Sequence, residues 1–237
     1  MSTRLDKALA TAGIGTRKEV RALVREGRVS VDGVVLRDPS THVDAERSAI
    51  TVDGSPLERG TMTYMLNKPK GIITAASDPS HRTVLDLFPA PLSRRLFPAG
   101  RLDKDTEGLL IITADGELCH RLISPRHGVE KEYLVHVDGV LESPMVEQFA
   151  EGLLLRDGTK TRPANLEIVS PGPGGIAHVV ITEGKYHQVK RMFGALGLRV
   201  TALKRVRIGS LRLDEHLAPG AYRELSVQEI ELLFSNS

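Results

Sequence analysis

The 237-residue sequence predicts an α+β fold: a small N-terminal module followed by a larger domain on a mostly antiparallel mixed sheet. Three observations carry that expectation. Strand-like and helix-like stretches alternate irregularly, without the even βαβ rhythm of a doubly wound parallel fold. Asp32-Gly33 separates two short β-branched runs, the strongest local hairpin signal because both turn residues need positive φ. No P-loop occurs, and the glycines between 172 and 175 lack the strand-to-helix setting of a dinucleotide fingerprint. The expected division is 1–58 for the module, 59–62 for a linker and 63–237 for the larger domain.

In the module, Leu5, Ala8, Leu9 and Ala12 share one helical face, and Gly13 stops that helix. Thr16-Arg17-Lys18-Glu19 fits a capping box, in which the Thr16 hydroxyl and the Glu19 carboxylate each take a backbone N–H of the other residue. The helix it opens should end near Gly27, with Val20, Leu23 and Val24 as its apolar stripe. Arg17, Arg21 and Arg25 fall four apart, so their guanidinium groups emerge in one row. A solvated helix face more often alternates its charge sign, and an all-positive row favours phosphate contact. Arg28 to Leu36 then spells strand, turn, strand, and Ala49 to Val52 adds a further strand before Asp53-Gly54. Glu58-Arg59-Gly60-Thr61 lacks apolar periodicity and reads as a linker.

The larger domain opens with two expected strands, 62–66 and 72–74, broken at Pro69 and Gly71 with Lys68 and Lys70 exposed at the break. A short helix over 83–88 follows. Next comes Gly100-Arg101-Leu102-Asp103-Lys104-Asp105-Thr106-Glu107-Gly108, a polar loop backed by the apolar run 109–113 of a buried strand. Asp115-Gly116 caps a helix through Ile123. Further strands are expected over 129–137 and 199–208, helices over 144–153 and 185–196, and a hairpin from 166–169 and 177–182. Ser226-Val227-Gln228-Glu229 is a second capping box that starts a C-terminal helix.

Composition is that of a globular protein, 41% hydrophobic and 26% charged. No apolar run is long enough to span a bilayer, and the N-terminus has no signal-peptide core. The single cysteine, Cys119, forms no internal disulfide, and the eight histidines are scattered without ligand spacing, so no metal and a reducing cytoplasm are expected. The net charge of +2 hides an uneven distribution: residues 182–212 hold eight Lys or Arg against Glu183 alone. Two basic stretches on an otherwise acidic chain suggest a polyanion partner, foremost nucleic acid; solvated helix faces are the alternative. No heptad appears, and a monomer is expected.

Three segments hold candidate chemistry. Asp103 projects from a loop fixed to a strand, the usual way to hold a reactive side chain, although an acidic surface turn looks the same in sequence. On the strand Lys131-Glu132-Tyr133-Leu134-Val135, alternation puts Tyr133 on the face of Val135 and Val137, as a stacking platform for a base or as a core tyrosine. On the helix after Glu183, the residues Val189, Met192 and Phe193 are the buried stripe, which leaves Lys190 free to meet a carboxylate.

Residues 3–50 resemble the S4 RNA-binding domain, with helices, glycines and hairpin in the same order. GRLDKDTEGLL, KEYLV and EGKYHQVKRMF, with the tail Ile208-Gly209-Ser210-Leu211-Arg212-Leu213, resemble the motifs of pseudouridine synthases. The family is the one named for the ribosomal small-subunit synthase A and its large-subunit relatives. The resemblance spans nearly the whole chain. It implies a cofactor-free isomerase acting on a uridine of ribosomal RNA, with Asp103 catalytic, Tyr133 packed on the target base and Lys190 paired with the aspartate. Arg101 and Thr106 would keep the loop's shape and face the RNA backbone, and Asp105 would be structural. Arg17, Arg21, Arg25, Lys185, His187, Gln188 and Arg191 complete the expected RNA-binding set. Tyr186-His187 before Gln188 resembles the small-subunit branch, which points to 16S rRNA. The other readings are a large-subunit (23S) synthase and a non-catalytic assembly factor on the same scaffold.

Overall fold

The computed structural model describes residues 2–45, 47–57 and 61–235. Residues 59 and 60 of the expected linker, with Glu58 before them, lie outside the described residues. The chain opens with β1 (Ser2–Arg4), α1 (Leu5–Thr11) and α2 (Arg17–Arg25). The α2 capping box forms as its sequence requires, with Glu19 N–H on the Thr16 hydroxyl and Thr16 N–H on the Glu19 carboxylate. Strands β2 (Val29–Val31) and β3 (Val34–Val35) make the expected hairpin, and Asp32 and Gly33 both have positive φ, 50° and 82°. After β4 (His42–Asp44), β5 (Ile50–Val52) turns at Asp53-Gly54 into β6 (Ser55–Pro56), a second hairpin of the same kind. Strand β1 pairs antiparallel with β4, an addition that its polar sequence does not signal. Leu5, Leu9, Val20, Val24, Val29 and Ile50 close the module's own core.

The larger domain contains β7 (Thr63–Lys68), a 3₁₀ turn (Val84–Leu87), α3 (Ala90–Ser93), β8 (Phe97–Ala99), β9 (Glu107–Thr113) and α4 (Gly116–Ile123). These are followed by β10 (Lys131–Val137), α5 (Pro144–Glu151), β11 (Asn165–Ser170), β12 (Ile176–Ile181), α6 (Gln188–Ala195) and β13 (Val200–Ile208). β14 (Leu211–Arg212), β15 (Tyr222–Glu224) and α7 (Val227–Leu232) end the chain. One nine-stranded sheet runs β11-β12-β10-β13-β9-β7-β15, with β14 on β13 and β8 on β9. Of its strand pairs among the described residues, only β9 and β13 run parallel.

The apolar run of β9 is explained by its central place. Leu110 and Ile112 face one core with Phe149, Val189 and Phe193, while Leu109 and Ile111 face another with Leu118, Leu225 and Leu233. A strand buried on both faces loses the alternating pattern.

Three expectations fail here. Residues 72–74 are not a strand, since only Ile73 forms a bridge, to Thr83. Lys68 is not exposed but fully buried, at 0% of its accessible area. The helix expected from Lys185 begins instead at Gln188. His187 has φ 48° and ψ 33°, a left-handed conformation that cannot belong to a helix.

Candidate active site

The loop from Gly100 to Gly108 is clamped from below by the segment after β7. Lys68 Nζ donates to the carbonyls of Pro69, Asp103 and Thr106 at 3.1, 3.0 and 2.8 Å. Gly71 N–H donates to the Lys104 carbonyl, and Thr74 Oγ1 exchanges bonds with the backbone of Leu102. The proline-glycine break read as a turn between strands is therefore the cradle of the polar loop. Its lysine ends inside because three backbone carbonyls converge there and need a donor. Burial pushes the Lys68 ammonium down to about 8, against the pull of Asp103 and its acidic neighbours. At the loop's far end Gly108 has φ 103°, and a Cβ there would collide with the Arg205 carbonyl, so the parallel junction of β9 and β13 requires glycine.

Above the loop lies a cleft of about 790 Å³. Asp103 and Tyr133 both line it, and the Asp103 side chain keeps 29% of its exposure. Lys190 approaches from α6 with Nζ 3.6 Å from Asp103 Oδ2 and 2.5 Å from Asp105 Oδ1, so it bridges both aspartates and sits closer to the second. The hydrogen bond from Lys190 holds the Asp105 carboxyl below the usual carboxylate range. Asp105 is thus a competitor for the lysine as well as part of the loop's shape. His187 Nε2 lies 3.4 Å from Asp103 Oδ1, and its ring stacks on Tyr186 with centroids 3.8 Å apart. Tyr133 belongs to the main core cluster, as its core reading expects, and it also forms part of the cleft wall.

Arg101 is exposed at the cleft, and Lys185, Tyr186 and His187 form its rim. Arg191 is half-buried and bound to Asp157. Thr106 is 1% exposed, so it shapes the loop and does not face an RNA backbone. Gln188 is likewise buried. Its Oε1 accepts from Lys185 N–H and its Nε2 donates to Glu183 Oε1, which fixes the turn before α6 and leaves no surface for RNA. On α2, Arg17 and Arg25 are exposed, but Arg21 Nε donates to Asp6 at 2.8 Å. With Arg4 as first partner and Arg21 as second, that buried carboxyl is held at about 2. The basic stretch 182–212 is also not one surface, because Arg205 and Arg207 are buried.

Sequence reasoning missed Lys68, Lys131 and Arg205. Lys131 lines the cleft two residues from Tyr133, donates to the Val129 carbonyl at 2.6 Å, and is lowered to about 8 by burial and by Arg205. A basic residue in register with a buried strand face was the available signal in each case. Among the described residues no cluster of His, Cys, Asp or Glu is placed to hold a metal ion.

A helix-and-hairpin RNA-binding module, joined to a mixed sheet with a carboxylate cleft and a buried tyrosine, defines an RNA-modifying enzyme built on an S4 domain. The comparisons make the class specific. The family described as RNA pseudouridylate synthase matches residues 62–195, and the S4 domain matches residues 3–47. The ribosomal small subunit pseudouridine synthase A of Escherichia coli (strain K12) is 43% identical over 96% of this chain and 98% of its own. A Bacillus subtilis (strain 168) protein named as an uncharacterized RNA pseudouridine synthase is 46% identical over 97% of this chain and 98% of its own. A crystal structure of a pseudouridylate synthase, 39% identical, superposes with a TM-score of 0.69 over 97% of this chain and 99% of that one. The chain belongs to the RNA pseudouridylate synthase family.

Proposed function

We propose that the protein isomerises one uridine of small-subunit (16S) ribosomal RNA to pseudouridine, using Asp103 and no cofactor. The observation that carries the reading is the meeting of three distant segments: Asp103 and Tyr133 line one cleft, and Lys190 reaches Asp103 from α6. Whole-length similarity to synthases named for the small subunit supports the choice of RNA, with uridine 516 as the specific candidate. A monomer acting in the cytoplasm fits this role, and no described helix is long and apolar enough to cross a membrane.

The isomerisation breaks the N1–C1′ bond, turns the base and joins C1′ to C5. The proton on C5 leaves and N1 gains one, so there is no net oxidation. A fixed carboxylate at 103 serves as nucleophile or base in such a sequence, and the Lys190 ammonium balances its charge. Reaching the uridine means turning it out of its stack, and the ring of Tyr133 and the exposed cations at the rim offset that cost. Lys68 takes no part in the chemistry but holds two carbonyls of the loop that carries Asp103.

Pseudouridine mapping after incubation with 30S and 50S precursors tests the assignment. Modification is expected in 16S rRNA alone; a signal confined to 23S rRNA overturns the choice of RNA. Tight binding without modification of either RNA would make the protein an assembly factor instead.

A further inference from the structure

Arg205 is a buried cation of the cleft that the reading above leaves without a task. It is 4% exposed, lines the cleft with Asp103 and Tyr133, and forms no ion pair with a carboxylate among the described residues. Its Nε donates to the Leu109 carbonyl at 2.7 Å and its Nη1 reaches Tyr133 Oη at 3.4 Å. Its Nη2 is buried with no partner. A guanidinium taken out of water normally has every N–H satisfied and a counter-charge nearby, so this free edge calls for an acceptor that arrives with the substrate.

The backbone is built to aim it there. On β13, Arg205 and Arg207 are two residues apart and would share one face of a regular strand. The ladder with β10 slips between Glu132 and Tyr133: Arg207 stands opposite Glu132 and Arg205 opposite Tyr133, leaving Val206 as the extra residue of a bulge. Adjacent residues on β10 face opposite sides, so the two arginines do too. Arg207 goes to the far face, where Glu132 and Glu130 take it at 2.6 and 3.0 Å. Arg205 goes to the cleft. Bulges beside active sites commonly re-aim a side chain in this way.

We propose that Arg205 is a further catalytic residue, donating through Nη2 to a carbonyl oxygen of the flipped uracil. The inference rests on the reading of the cleft as a uridine site. The chemistry matches the donor. When N1–C1′ breaks, the electron pair stays with the ring and spreads over N1, O2 and O4, and a fixed cationic donor at one carbonyl stabilises the charge where it develops. The guanidinium carbon lies 5.9 Å from the centroid of the Tyr133 ring, within reach of the edge of a base packed on that ring.

The test compares single-turnover isomerisation of RNAs carrying uridine, 2-thiouridine or 4-thiouridine at the target, since sulfur accepts hydrogen bonds poorly. Rates are measured on whichever ribosomal RNA the wild-type protein modifies, so an error in the small-subunit assignment leaves the test intact. Arg205→Met is expected to slow isomerisation by about 100-fold with RNA affinity little changed. In the wild-type protein one of the two thio substitutions should slow the reaction about tenfold, and in Arg205→Met that same substitution should have almost no effect. Arg205→Lys, which keeps the charge but lacks the second amino group, carries the same comparison if the methionine variant unfolds. Equal thio effects in wild type and variant, or an undiminished rate in the variant, would overturn the proposal.

Discussion

On α2 the Arg17 and Arg25 guanidinium groups stand in solvent and Arg21 leans on Asp6, whereas at the Asp103 cleft Lys190 is shared by two aspartates and Arg205 is buried. The two regions carry similar charge and use it differently. Exposed arginines on a helix act on a polyanion at a distance and are weakened by salt. Withdrawn cations act over one hydrogen-bond length, and water does not screen them. The first arrangement suits capture of RNA and the second suits chemistry on one nucleotide.

The sharpest way to break that division is Asp103→Asn, which keeps the shape and removes the charge. Isomerisation should fall by a factor on the order of 10⁴ or more, while RNA affinity in a filter-binding titration stays within about threefold. An active variant would remove Asp103 from the chemistry.

Lys190 comes next. Lys190→Met leaves Asp103 and Asp105 facing each other without their shared cation and should cost roughly 100-fold in single-turnover rate. Asp105→Asn releases the lysine to Asp103 and should leave the rate within about fivefold. The reverse order of effects would mean that Asp105, not Asp103, is the partner that matters.

Lys68 tests whether a withdrawn charge can be purely structural. Replacing it by Met leaves two loop carbonyls unpaired and should destabilise the protein by about 2–3 kcal/mol. The pH dependence has a definite sign. Burial lowers the folded value from 10.5 to about 8, so between those limits the unfolded chain binds more protons and stability rises with pH. In paired denaturant titrations, the gap between wild type and Lys68→Met should therefore widen from pH 8 to pH 10.5. A gap that stays constant would show that Lys68 titrates normally.

The smallest effects belong to α2. Arg17→Ala with Arg25→Ala should reduce the slope of log affinity against log salt by roughly 1–2 and leave turnover at saturating RNA unchanged. Arg21→Ala should instead cost up to about 1 kcal/mol of stability through Asp6, read by thermal melting, with the salt slope nearly intact. An equal loss of slope from Arg21 would return it to the RNA-binding row.

Much of this division is visible without coordinates. Capping boxes at Thr16 and Ser226 and the Asp-Gly turns at 32–33 and 53–54 are local devices, settled by residues within four positions of one another. The all-apolar run of β9 announces a strand buried on both sides. The motif around Asp103 and the spacing of the arginines on α2 are equally local. Arg21 shows where this stops: the row is legible, but the carboxylate that ties down its middle member sits fifteen residues away in another helix.

The sequence by itself determined the α+β class, the S4 module, the polar loop, and Asp103, Tyr133 and Lys190 as residues to watch, because each follows from periodicity or from a short motif. Only the tertiary structure decided which charges are inside. Lys68 is buried because three carbonyls meet above it, Gln188 because Glu183 and the Lys185 amide need it, and Arg205 and Arg207 part company because the ladder slips by one residue between β10 and β13. The physical reason is common to all of them. A buried polar group is placed by partners distant in sequence, and the cost of leaving those partners unpaired appears only when the strands are side by side.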